Sequence, residues 1–128
     1  MIAEHEHRVL DLIDAQQQEV VDFLRELLAF KTITPDEEVV EHDEFIRHQE
    51  FVKASLGKIG FGDFDIWEVD VAELEDRPGL GVVSDRDLRN MPVLVGRLPG
   101  AGKGKSLILN GHYDVVPLGL VENWKRDP

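Results

Sequence analysis

The apolar run Ser106-Leu107-Ile108-Leu109-Asn110 leads straight into Gly111-His112-Tyr113-Asp114, and this stretch organises the chain. The run reads as a β-strand. Strand geometry places residues i and i+2 on one face. If the extended geometry persists past Gly111, His112 and Asp114 point the same way. That pairing suits a metal-binding imidazole with a carboxylate close enough to hold it, because a metal-bound histidine usually has its other ring nitrogen fixed by an acceptor. In open α/β sheets, sites gather at the carboxyl ends of strands. The alternative is a buried, hydrogen-bonded His-Asp pair that helps close the strand.

Composition bounds what such a strand can belong to. The chain has 128 residues, the length of one ordinary domain, and 42% hydrophobic residues, enough for a core. Its formal net charge is −12, from 26 acidic and 14 basic residues. Phosphate binding needs clustered Lys and Arg, so neither nucleic acid nor an anionic membrane surface is an expected partner. The absence of cysteine excludes disulfides and thiolate metal sites. Met1 to His7 has no apolar signal-peptide core, and no apolar run reaches transmembrane length. A soluble, cytoplasmic protein is the expectation.

Taken in order, residues 5–30 repeat apolar positions at helical spacing. Leu10, Ile13, Val20 or Val21, Leu24, Leu27 and Leu28 form one stripe. Asp14 is a candidate cap for a second helix starting at Ala15, so one bent helix and two helices both fit. Pro35 directs Thr34 away from helix, and an acidic loop begins at Asp36. A second amphipathic helix is expected over 41–59, with Phe45, Val52, Leu56 and Ile59 on one face and Gly60 as its C-terminal cap. Phe64 to Val69 reads as a strand. The pattern fades over 70–90, which reads as a long excursion. Val93 to Leu98 reads as a strand, and a hairpin through the Gly- and Lys-rich 99–105 connection would pair it with 106–110.

That connection imitates a phosphate-binding loop, but Pro99 stands where the first Gly of the motif belongs. A P-loop also opens a helix, whereas this one opens a β-type run. A flexible hairpin turn is the better reading. His5, His7, His42 and His48, with the acidic residues Glu37, Glu38, Glu41, Asp43 and Glu44, are expected on solvated surface. The six-residue separation of His42 and His48 does not give the tight helical face that i,i+4 spacing would.

Residues Leu107 to Pro117, with Gly-His-x-Asp-Val-Val-Pro at their centre, and Trp124 to Pro128 resemble the M20 family of zinc peptidases and deacylases. The resemblance extends more loosely to the Thr-Pro loop at 32–35, the Gly60-Phe61 helix end and the Leu98-Pro99-Gly100 turn. It implies an α/β fold: the N-terminal part of a three-layer α/β/α catalytic domain, with two long helices and about three strands over 1–128, and no lid or dimerisation domain. It implies that His112 is a zinc ligand and that Asp114 is the catalytic-site acid orienting it. Tyr113 occupies a variable position and receives no role. The family's cofactor is a pair of zinc ions, with cobalt as a substitute, activating water for amide hydrolysis. Its substrates are N-acyl amino acids or short peptides, and a homo-oligomer is a further expectation.

The family's bridging Asp, general-base Glu and remaining ligands belong downstream of Pro128. One imidazole and one supporting acid fall short of the three or four protein ligands of a zinc site. The chain is therefore expected to be the N-terminal piece of a hydrolase, inactive alone. A decayed hydrolase that serves as a binding module is the alternative.

Overall fold

The computed structural model of the chain describes residues 3–33, 42–75, 77, 79 and 88–127. These fall into two compact units, residues 1–30 and 31–128.

The first unit is a pair of helices, α1 (Glu4–Ala15) and α2 (Gln17–Leu28). The apolar spacing leaves one helix or two open, and the structure has two. The break falls at Gln16, where the backbone leaves helical geometry at φ −102° and ψ 9°. Asp14 does not cap α2; its carboxylate accepts from Gln17 Nε2 at 3.3 Å. At the start of α1, the Ala3 N–H donates to Glu6 Oε2 at 2.6 Å, which satisfies one amide that the helix leaves open. Within this unit the stripe is amphipathic but not enclosed. Leu27 and Phe30 are half-buried, and Leu10, Ile13 and Leu24 are exposed.

The second unit is built on α3 (His42–Lys58) and an antiparallel pair, β1 (Gly62–Trp67) and β2 (Val93–Arg97). A short helix, α4 (Val71–Glu75), interrupts the expected excursion, and the Asp70 carboxylate accepts from the Ala72 N–H at its start. The α3 helix ends as its sequence directs. Gly60 takes φ +97°, its N–H bonds Gly57 O, and the Phe61 N–H reaches back to Leu56 O. These two bonds form a Schellman cap, which glycine permits because it has no Cβ to clash.

The architecture is mixed α/β, with α3 packed against β1 and β2. The expected hairpin is not present. β2 pairs with β1, in register Trp67↔Val93, Ile66↔Leu94 and Asp65↔Val95, with an irregularity between Gly62 and Asp65. Ser106 to Asn110 is not in a ladder; Leu107, Ile108 and Leu109 are 81%, 87% and 84% exposed. β2 pairs along one edge with β1, which α3 backs, and 106–110 does not join its other edge. Gly96 belongs to this packing, since a Cβ there would lie 2.7 Å from the Phe64 ring.

Among the described residues the core is small and centred on α3. Phe45 is fully buried, and Thr32, Glu44, His48 and Gln49 are buried around it. The surface reading of His48 and Glu44 is therefore corrected. His48 and Gln49 lie three and four residues beyond Phe45, on the face that continues to Val52. Glu44 is buried because it is used: Oε2 accepts the Lys31 N–H at 3.1 Å, and Oε1 accepts from Arg47. Asp43, His5 and His7 are exposed as expected. Residues 34–41, with Glu37, Glu38 and Glu41, and the side chain of His42 lie outside the described residues.

Candidate metal site

The segment carrying His112 and Asp114 is held to the second unit through the residue between them. The Tyr113 ring stacks on His48, with centroids 5.3 Å apart and an interplanar angle of 18°, and meets Phe45 edge-on at 5.8 Å. Its hydroxyl donates to Pro92 O at 3.0 Å, and the Gln49 side chain hydrogen-bonds the same hydroxyl. Burial raises the phenol above its ordinary pKa of 10.0, opposed by the Gln49 bond and reinforced by the Asp114 charge. Burial likewise lowers the His48 imidazole below its ordinary 6.5, which favours the neutral ring.

Thr32 holds the same segment from the other side. Its Oγ1 donates to Tyr113 O at 2.6 Å, and its carbonyl accepts the Val115 N–H at 2.8 Å. Ile33 and Val115 make an isolated parallel bridge.

Alternation then turns the flanking side chains away from Tyr113 and toward each other. His112 Nδ1 lies 3.0 Å from the Asp114 carbonyl oxygen and 3.2 Å from Asp114 Oδ1. Both neighbours are acceptors, so Nδ1 must carry the proton. In the neutral ring that leaves the lone pair on Nε2. The His112 side chain is 86% exposed and that of Asp114 40%. The pair is thus hydrogen-bonded, as the two-residue spacing allows, but it is not buried.

A metal tests this donor set in a simple way. An imidazole with Nδ1–H held by a carboxylate and a carbonyl, and Nε2 open, has the tautomer that a metal ligand needs. His112 and Asp114 fit one ligand position and its support. Among the described residues no group of three or more His, Asp or Glu side chains gathers to complete a site.

Tyr113 and Thr32 are what sequence reasoning missed. Tyr113 is the chain's single tyrosine, placed by alternation on the face opposite His112. That was the available signal. Thr32 entered only as part of the Thr-Pro loop that the resemblance covers, and nothing local pointed to a partner 81 residues away. The loop at 99–105 is exposed and no helix follows it in 106–110, so the geometry of a P-loop is not formed there.

Comparison with known proteins points to the metallopeptidases. The chain is 27% identical over 124 residues to the Cys-Gly metallodipeptidase DUG1 of Candida albicans. The match covers 94% of this chain and 23% of that protein, so the chain spans under a quarter of the relative's length. The likeness supports a relationship to metallopeptidases and goes no further. No protein-family model matches the chain, and no solved structure matches it. Among the described residues, no helix is long and apolar enough to cross a membrane.

Proposed function

We propose that the chain forms part of the catalytic region of a zinc-dependent M20-type hydrolase that cleaves peptide or N-acyl amide bonds, with His112 as a metal ligand and Asp114 as the acid that orients it. The observation that carries this reading is the pair of oxygen acceptors against His112 Nδ1, at 3.0 and 3.2 Å. Two acceptors on Nδ1 leave Nε2 open on an exposed ring, at the second position of a Gly-His-x-Asp-Val-Val-Pro motif. Exposure favours a ligand over the buried structural pair that the same spacing also allows. The metallodipeptidase relative agrees with the class of reaction. When bound, the metal supplies an activated water and polarises the scissile carbonyl. This chain's contribution is to present one nitrogen in the right tautomer and to hold a carboxylate beside it. Cytoplasmic residence completes the proposal.

Zinc titration followed on the ring nitrogens of His112 tests the reading. Zinc is expected to move the Nε2 resonance, a chelator to reverse the change, and His112→Gln to remove the binding event. With one ligand and its supporting acid among the described residues, the 128-residue chain is expected to show no chelator-sensitive turnover of Cys-Gly or N-acetyl amino acids. A zinc response that leaves His112 unmoved, or that survives His112→Gln, would sink the proposal.

A further inference from the structure

We infer that Thr32 and Tyr113 are positioning residues for His112: together they fix the peptide planes that select its tautomer. The clamp is built from two successive peptide groups. The Tyr113 carbonyl belongs to the peptide joining residues 113 and 114, and Thr32 Oγ1 donates to it at 2.6 Å. The Val115 N–H belongs to the next peptide, and it donates to Thr32 O at 2.8 Å. That peptide is trans, so its N–H and C=O point in opposite directions. Holding the Val115 N–H toward Thr32 therefore aims the Asp114 carbonyl away from Thr32. His112 Nδ1 lies 3.0 Å from that carbonyl.

The clamp has a fixed base. Thr32 is 2% exposed, and the preceding amide, Lys31 N–H, is bound by buried Glu44 at the start of α3. The Tyr113 ring supplies the second anchor, stacked on His48 with its hydroxyl on Pro92 O. His112 itself is 86% exposed at the side chain, so packing of its own ring does little to orient it. Its direction is inherited from the backbone, and the backbone is held from Thr32 and α3. The inference rests on the metal-ligand reading only for its purpose; the tautomer can be measured without metal.

The test is long-range proton–nitrogen NMR of the 128-residue chain at about pH 7.5, where histidine is mostly neutral. Wild-type His112 is expected to show a protonated Nδ1 and an unprotonated Nε2. Tyr113→Phe keeps the stacked ring and is expected to keep both shifts. Tyr113→Ala and Thr32→Val are expected to move both toward the exchange-averaged values of the exposed His5 and His7. A folded Tyr113→Ala protein with wild-type His112 shifts overturns the inference. Should that variant fail to fold, Thr32→Val gives the decision, and unchanged shifts in it overturn the inference equally. Failure of the metal reading is separate: zinc would leave wild-type His112 unmoved while the tautomer differences between variants persist.

Discussion

His48 shows how one buried polar side chain ties stability to pH. Burial lowers its pKa below the ordinary 6.5, so between the two values the unfolded chain binds more protons than the folded one. Its contribution is complete above 6.5 and is lost as pH falls through the lowered folded value. Urea midpoints at about pH 7.5 and about pH 5.5 should therefore drop on acidification by more in wild type than in His48→Phe, which keeps a ring against Tyr113. An equal drop in both proteins would remove His48 from the account. At this scale the sequence was half legible. The His112–Asp114 contact follows from a two-residue spacing, and the structure places the two side chains 3.2 Å apart. His48 and Glu44 were misread, because composition suggests solvent for charged and polar types. Only their spacing from Phe45, and the distant partners Tyr113 and Lys31, put them inside.

Among the elements, α3 was legible in nearly its full extent, from apolar periodicity at one end to the Gly60 cap at the other. Both are local signals. Strand pairing is not local. The Gly- and Lys-rich connection at 99–105 reads as a hairpin turn, yet β2 pairs with β1 across residues 68–92. A clue to that choice was Gly96, whose missing side chain makes room for Phe64 of the neighbouring strand. Gly96→Ala would drive a Cβ to 2.7 Å from Phe64 Cε1, so the ring or the strand must shift. The expected cost is about 1–3 kcal/mol, read as a lowered urea midpoint. Phe64→Leu in the same background should recover part of the loss by clearing the ring. A Gly96→Ala midpoint equal to wild type would show that the ring gives way freely.

Across the whole molecule, a net charge of −12 accompanies many exposed apolar side chains in each unit. Mutual repulsion between chains opposes association through those surfaces, and added salt weakens it. The small core makes long-range contacts matter, and the clamp between Thr32 and Tyr113 spans 81 residues. Closing so long a loop costs chain entropy before any contact rewards it, whereas the turns of α3 close locally. The clamp is therefore expected to form after α3 in folding and to open before it in the native state. Hydrogen exchange can follow this directly: the Val115 amide should exchange through a partial opening, faster than the central amides of α3. Equal protection at both would place them in one cooperative unit. If the order holds, the candidate ligand acquires its geometry only after α3 is in place and surrenders it while α3 still stands.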